Sequence, residues 1–253
     1  MRRKQRWSSA DRLIVVCIAG LLAALVWFAG LVLQRAQSAR RVCQSIVPLG
    51  SYSYDEQLRQ ELVELRGLQS VSLVLRVEAR LRVGDYSADT VWYGVDLAAL
   101  HKKVRLAADT AVGSAPVLLV GEKSLSGMRD QNGHALSEKR QKEFLTRYQE
   151  LEWQYQLNDG TGASGYESAP QSGDPAAGEE GRWLPCRVAA VLAEPSEDIY
   201  LSYAQASELL GVPADASGSS AAADRLVKEL LLTVQGEENY QEALACFAEP
   251  PAR

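Results

Sequence analysis

An uncharged run of 21 residues near the N-terminus, Leu13–Leu33, constrains this chain more than any other feature. As an α-helix rising about 1.5 Å per residue, the run extends about 31 Å, close to the roughly 30 Å hydrocarbon core of a bilayer. Five basic residues precede it and three follow within residues 34–41, so the positive-inside rule predicts a cytoplasmic N-terminus. A cleavable signal peptide is the alternative, but its apolar region usually spans only about 7–15 residues. The sequence therefore predicts a cytoplasmic tail (1–12), a transmembrane helix in the lipid bilayer (13–33) and an extracytoplasmic remainder.

The distribution of charge agrees with this topology. Residues 1–41 contain eight Lys and Arg but a single acid, Asp11. The rest of the chain contains 19 basic and 31 acidic residues, a net charge of −12. A basic head and an acidic body are expected when the two lie on opposite sides of a membrane. Nucleic acid is not an expected partner, because binding to it depends on clustered Lys and Arg that neutralise phosphates.

Beyond the membrane segment, the patterns of helices and strands are mixed, which predicts one α+β domain at 51–253 after a polar stem at 34–50. The clearest element is a long strand at 71–83, in which apolar and polar residues alternate, so that one face is buried and the other lies in water. Gly84 and Asp85 then turn the chain into a returning strand at 90–96, which makes a long β-hairpin. Shorter patterns predict helices at 55–67, 97–104, 137–155, 204–212 and 238–249, strands at 115–121, 183–193, 198–203 and 225–236, and a flexible loop at 158–181.

We find no pattern typical of a catalytic, cofactor or metal site in the sequence. The two histidines, His101 and His134, are isolated beside polar residues, and the four cysteines form no C-x-x-C pair. Residues 160–165 match G-x-G-x-x-G, but dinucleotide binding needs this pattern between a strand and a helix, whereas here a charged helix precedes it. The sequence therefore predicts no enzyme activity, no catalytic residue, no cofactor and no metal.

The order of the elements resembles that of a known family. The membrane helix is followed by a helix ending in L-x-G-L-x-x-V, the long strand, WYGVD (92–96), PVLLVGEKSL (116–125), RVAAVLAEPSEDIYLSYAQASELLG (187–211) and a closing strand ending in V-x-G. In this order the segments resemble the MacB-like periplasmic core domain, the extracytoplasmic domain of FtsX-like ABC-transporter permeases, over residues 10–249. The resemblance implies an α+β fold outside the cytoplasm. Permeases of this family continue into further membrane helices, and the sequence has no second such run, so the resemblance does not extend to transport.

These observations favour a single-pass membrane protein whose outer domain is a binding or assembly module, an accessory or remnant of an ABC-transporter permease system. Its expected partners are transporter subunits or other envelope proteins. A structural single-pass protein of a cell-division or sporulation envelope complex is the alternative. Because arginine and aromatic residues are enriched at interfaces, the outward row of the long strand and the aromatic residues near it predict four contact residues. They are Arg76, Arg80, Tyr86 and Trp92.

Two covalent links through cysteines are compatible with the sequence. Cys186 and Cys246 both lie in the predicted outer domain, where disulfides form, so a bond between them is one interpretation and two buried thiols are the other. Cys43 in the stem offers a link between two copies of the chain. Small residues allow membrane helices to pack closely, so Gly20 and Ala24 in the membrane run, like Cys43, are compatible with a homo-oligomer.

Overall fold

The computed structural model describes residues 9–50, 54, 56–107, 115–158, 182–212 and 227–248, and these form a mixed α+β fold, as predicted. The helices are α1 (Ser9–Arg40), α2 (Glu56–Val63), α3 (Glu138–Thr146), α4 (Tyr203–Leu209) and α5 (Glu237–Ala248). The strands are β1 (Val42–Pro48), β2 (Leu68–Val83), β3 (Tyr86–Val95), β4 (Val104–Ala107), β5 (Val117–Val120), β6 (Trp153–Leu157), β7 (Leu184–Leu192), β8 (Ile199–Ser202) and β9 (Glu229–Gln235). The loop predicted at 158–181 lies outside the described residues except for Asn158.

The strands form one nine-stranded sheet in the order β1-β9-β2-β3-β8-β5-β7-β4, in which β6 pairs with both β2 and β7. The β3–β8 and β5–β7 pairs are parallel, and the other pairs are antiparallel. Because β6 joins β2 to β7, the strands β2, β3, β8, β5, β7 and β6 close into a ring. Buried residues of all six strands belong to one hydrophobic core, which includes Leu81, Trp92 and Trp153.

The alternating pattern of the long strand is confirmed in the C-terminal half of β2. Arg76 and Arg80 are exposed there. The apolar residues between and beside them are fully buried: Leu75, Val77, Ala79, Leu81 and Val83. The returning strand and the turn at Gly84 are confirmed as well, because β3 pairs with β2 from Val83 opposite Tyr86 to Leu75 opposite Gly94. The predicted long hairpin is therefore present.

The N-terminal half of β2 differs from the prediction, because both of its faces are covered. Here β2 pairs with β9, and Val74 is fully buried on the face opposite the main core. Val74 belongs to a second, smaller hydrophobic cluster with Val95, Leu192, Tyr200 and Leu231. The sheet thus has a main core on one face and a small satellite core on the other.

The predicted helix at 97–104 is wrong. A single 3₁₀ turn, Leu97–Ala99, occupies the first residues, and Val104 begins strand β4 because its backbone pairs with β7. The intervening segment is held to β1 by Gln44, whose Nε2 donates to the Ala99 carbonyl at 2.7 Å and whose Oε1 accepts from the His101 N–H at 2.9 Å. These long-range hydrogen bonds satisfy the backbone where a helix would otherwise do so.

The predicted helix at 137–155 is correct only in its first half. Helix α3 ends at Thr146, and Trp153–Leu157 form strand β6. Trp153 and Tyr155 are two residues apart and both buried, because β6 fills the gap between β2 and β7 in the ring. This tertiary pairing overrides the helical spacing of the aromatic residues.

The predicted stem at 34–50 is also wrong, since these residues are ordered parts of the fold. Helix α1 continues to Arg40, and after a single residue β1 pairs with β9 along its whole length. The polar composition that indicated a stem fits an edge strand, which has only one neighbour in the sheet.

Helix α1 is 32 residues long and contains the whole run predicted as the membrane span. Judged by length and apolar character, none of the helices over the described residues qualifies as a membrane span. The transmembrane segment therefore stays a prediction.

Candidate functional site

The outward face of the hairpin is built by the residues that alternate with the core positions of β2 and β3. On β2 these are Arg76, Glu78, Arg80 and Arg82. Arg76 lies opposite Tyr93, and Arg80 lies opposite Asp89. Arg76 and Arg80 are exposed and lie four residues apart on one strand, so they share this face, as predicted.

Arg76 lies between two carboxylates on this face. Its guanidinium nitrogens are 3.2 Å from Glu78 Oε1 and 3.7 Å from Glu229 Oε1. The side chain of Glu229, on the neighbouring strand β9, is only 14% exposed, against 47% for Arg76. Burial raises the pKa of Glu229, and the positive charge of Arg76 partly offsets this. Glu229 Oε2 is buried with no hydrogen-bond partner in the described structure. The positive charge of Arg76 is therefore the main interaction that offsets the cost of burying this carboxylate.

Two tyrosines whose rings pack at a tilted angle adjoin Arg76. The rings of Tyr93 and Tyr200 are 6.0 Å apart at 42°, and the Tyr200 hydroxyl donates to Asp198 Oδ2 at 3.0 Å. Burial is the main cause of the raised pKa of both phenols. Because the ordinary pKa of a tyrosine is already about 10, both are uncharged at neutral pH. Arg76 and the half-buried Tyr93 thus form a partly exposed pair of arginine and tyrosine, residue types that often dominate binding at interfaces.

Trp92 is not a contact residue, contrary to the prediction. It lies opposite Val77, is fully buried, and packs 5.3 Å from the Tyr155 ring. Its Nε1 donates to Thr90 Oγ1 at 2.9 Å. Tyr93, the next residue, has the opposite orientation and is the aromatic residue that shares the face of Arg76. The two-residue turn at Gly84 and Asp85 fixes this register, so counting back from the turn would have identified Tyr93.

Tyr86 lies on a different surface from Arg76 and Arg80. It is opposite Val83, a core residue, and therefore lies on the other face of the hairpin, at its tip. Its half-exposed ring makes an edge contact with Phe144 at 6.1 Å, and the Arg140 guanidinium lies 5.5 Å from its centre. The four predicted contact residues thus divide into two surface sets and one core residue.

The disulfide between Cys186 and Cys246, one of the two interpretations of the sequence, is absent from the structure, and both thiols are free. Cys186 is buried in the main core, whereas Cys246 is exposed on α5, so the two are in different environments. Burial raises the pKa of Cys186 to about 12. Cys43 is also a free thiol, and its Sγ lies 3.4 Å from Glu237 Oε2.

These cysteines are expected to differ strongly in reactivity, because the thiolate is the reactive form. With a maleimide at pH 7 under native conditions, Cys246 should be modified at least about 100-fold faster than Cys186, which should react only after unfolding. Peptide mass mapping measures both rates, and Cys246→Ser is the control for the fast site. Protection of both residues until a reductant is added would contradict the free thiols.

Among the described residues, no group of three or more His, Cys, Asp or Glu is placed to hold a metal ion. His134 belongs to a local turn, in which its Nδ1 is 3.0 Å from Asp130 Oδ2 and its N–H donates to Asp130 Oδ1. These hydrogen bonds lower the pKa of Asp130. His101 is exposed, and its N–H is bound to Gln44. Both histidines thus take part in hydrogen bonds within their loops, His134 with its backbone and side chain and His101 with its backbone.

Solved structures that are similar to this chain include domains of transporter proteins. The extracellular domain of the noncanonic ABC-type transporter YknZ from Gram-positive bacteria has a TM-score of 0.38 and 9% identity, over 80% of this chain and 88% of that chain. The periplasmic region of MacB from Actinobacillus actinomycetemcomitans has a TM-score of 0.35 and 12% identity, over 81% of this chain and 84% of that chain. The chain is similar to extracytoplasmic domains of ABC-type transporters. This is the class of domain that the sequence resembles.

No protein-family model and no curated protein sequence matches the chain. Because the TM-scores are below 0.5 and the identities are at most 12%, these similarities carry no argument about function.

The half-buried carboxylate of Glu229 gives a prediction for pH dependence. Its raised pKa means that the folded domain holds this proton more tightly than the unfolded chain does. The resulting stability is complete below the ordinary value of 4.5 and is lost as the pH rises through the raised pKa. We expect Glu229→Gln, which cannot ionise, to raise the Tm at pH 7 by on the order of 2 °C and to have no such effect at pH 4.

Calorimetry at the two pH values measures this effect. Glu78→Gln is the matched control, because it removes the exposed neighbour of Arg76 and leaves the pair with Glu229 in place. A lower Tm for Glu229→Gln at pH 7 would mean that the attraction to Arg76 outweighs the cost of burial.

Proposed function

We propose that this chain is a single-pass membrane protein whose α+β domain lies outside the cytoplasm and serves as a binding or assembly module. We further propose that it is an accessory or remnant of an ABC-transporter permease system. The observation that carries the proposal is the direct connection of helix α1, which contains the uncharged run Leu13–Leu33, to the sheet of the domain. A binding module needs an anchor and a docking surface, and the chain has a candidate for each.

The exposed apolar side chains of α1 support the anchor. Where its side chains are described, large apolar residues are exposed along the helix: Leu22, Leu25, Val26, Trp27, Phe28, Leu31 and Leu33. Such a continuous apolar surface is unfavourable in water, whereas the backbone of a helix is satisfied internally and suits a bilayer. With the run Leu13–Leu33 and its basic flanks, this favours a membrane span with a cytoplasmic N-terminus.

The junction between the anchor and the sheet supports a mechanical connection. Only Arg41 separates α1 from β1, and its carbonyl accepts the N–H of Gly236 at 2.8 Å. Its guanidinium lies 3.9 Å from Glu237 Oε2 at the start of α5. Without a flexible linker, the orientation of the helix is passed directly to the β1–β9 end of the sheet.

The outward face of the hairpin is the proposed docking surface for transporter subunits or other envelope proteins. Arg76 and Tyr93 form its centre, and Arg80 extends it along β2. Arg80 is exposed and has no ion-pair partner among the described residues, so its charge is available to a partner.

Labelling in intact cells tests the topology. We expect a membrane-impermeant maleimide to modify Cys246 from outside, and to modify a cysteine introduced in the tail, Ser8→Cys, only after permeabilisation. The chain labelled at Cys246 and the Ser8→Cys variant both carry Cys43→Ser, and Cys246→Ser is the control for the outer site. The chain should stay with the membrane in alkaline carbonate. Release by carbonate, or the reverse labelling pattern, would contradict the proposal.

Cross-linking from the hairpin tests the class of partner. A photo-reactive residue at position 80 should capture the subunits of a transporter that contains an ATPase and a polytopic permease. Arg76→Ala should reduce this capture, whereas Arg66→Ala, an exposed control at the other end of β2, should not. Capture of cell-division or wall-synthesis proteins would instead support the structural alternative, and capture of this chain alone would support a homo-oligomer.

A further inference from the structure

A second surface at the tip of the hairpin combines arginine with aromatic rings. We call it the tip cluster and define it as Tyr86, Phe144, Arg140 and Arg129. The Arg140 guanidinium is 5.5 Å from the centre of the Tyr86 ring and 5.8 Å from that of Phe144. Arg129 lies beside them, because its backbone exchanges two hydrogen bonds with Ser87, at 2.9 and 3.0 Å. The cluster is on the face of the hairpin opposite Arg76.

The cations at this surface are not neutralised within the described structure. Arg129, Lys139, Arg140 and Lys142 are exposed, and none has a carboxylate oxygen within 4.0 Å among the described residues. Arg147, farther along, is instead paired with Glu150 at 2.6 Å. At the tip, Arg129 and Arg140 thus carry positive charge with no carboxylate paired to them among the described residues, in a domain whose net charge is −12 beyond residue 41.

The cluster is held rigidly, which favours binding. The aromatic rings hold the Arg140 guanidinium in one place, so that less side-chain entropy is lost when it pairs with a ligand. The loop beneath is fixed by the Leu136 N–H, which donates to the Met128 carbonyl at 2.9 Å. Gln141 Nε2 donates to the Leu136 carbonyl at 3.1 Å and so ties α3 to this loop.

The distance of the cluster from the end of α1 favours a protein partner over the bilayer surface. Leu68, at the start of β2, pairs with Val234, next to the junction where Gly236 binds Arg41. The tip follows Val83, 15 residues farther along β2, and a strand rises about 3.3 Å per residue. The tip is therefore about 50 Å along the strand from the end of α1, whereas the charge of a lipid surface acts over only roughly 10 Å in 0.1 M salt.

We propose that the tip cluster binds an acidic segment of a partner protein, with a carboxylate of that segment paired to Arg140 and its neighbouring side chain packed on Tyr86 and Phe144. This proposal rests on the proposed function for its placement far from the membrane. It adds a second interface, on the other face of the hairpin from Arg76, and states the chemistry of the partner.

Peptide binding to the full chain in nanodiscs of zwitterionic lipid tests this proposal. The probe is a fluorescent ten-residue peptide of alternating Glu and Leu, and its anisotropy measures Kd. We expect Arg140→Ala to weaken binding about tenfold and Arg140→Lys to weaken it less, because the charge remains. Arg66→Ala removes the same charge from an exposed site at the other end of β2, and binding should change less than twofold. The Tm of each variant reports folding.

Equal weakening by Arg140→Ala and Arg66→Ala would overturn the proposal, because binding would then reflect only overall charge. Loss of peptide binding when anionic phosphatidylglycerol is added to the same nanodiscs, with Arg140 protected from modification by the lipid, would assign the cluster to the membrane instead. The assay needs no particular topology. If the peptide does not bind but Cys246 is labelled from outside the cell, this inference alone is rejected. If the peptide binds but Cys246 is not labelled from outside, the proposed function alone is rejected.

Discussion

Gly94→Ala is expected to lower the free energy of unfolding by about 3 kcal/mol, although it adds one methyl group. Gly94 lies on β3 between Leu75 of β2 and Leu201 of β8. A Cβ atom at this position would lie 2.1 Å from the Cβ of Ala206 on α4 and 3.4 Å from the Cβ of Leu75. Because pairing on both sides fixes the backbone of β3, the methyl group can be accommodated only if α4 moves off the sheet.

A compensating change and a matched glycine make this prediction specific. Ala206→Gly removes the opposing methyl group, so the double variant should recover most of the stability lost in Gly94→Ala. Gly127→Ala is the control, because a Cβ there meets no atom within 4 Å. Urea unfolding of the full chain in detergent, followed by circular dichroism, measures all four proteins. A Gly94→Ala variant as stable as Gly127→Ala would show that α4 does not pack closely on β3.

Trp92→Ala is expected to lower the free energy of unfolding by about 4 kcal/mol, the magnitude typical of a large aromatic residue removed from a packed core. The Trp92 side chain is fully buried within the ring of strands, against Tyr155. Its removal leaves a cavity bounded by paired strands that cannot collapse easily. Tyr93→Ala, at the next residue, should cost only about 1 kcal/mol, because Tyr93 is half-exposed and packs mainly on Tyr200.

The contrast between these neighbours separates a core role from a docking role. Urea unfolding should rank Trp92→Ala far below Tyr93→Ala in stability. Partner capture from position 80 should be reduced by Tyr93→Ala at temperatures where that variant is folded. If Trp92→Ala reduced capture without loss of stability, Trp92 would be a contact residue, and the register of the hairpin in solution would differ from this structure.

The sequence determined those elements whose signal is local. The alternation of 71–83 and the turn at Gly84 and Asp85 specify the long hairpin, because a period of two residues places every second side chain on one face. The strands at β5, β7, β8 and β9 and the last helix follow from compact apolar runs and from helical spacing. The exposed positions of Arg76 and Arg80 follow from the same alternation.

The tertiary structure decided the elements and contacts that depend on distant partners. Trp153–Leu157 form a strand because β2 and β7 each leave an edge for β6, and Val42–Pro48 form a strand because β9 is available to pair with them. Arg140 reaches Tyr86 only because the chain folds back between residues 86 and 140. Strand pairing and side-chain clusters of this kind satisfy groups far apart in the chain, so local propensity does not specify them.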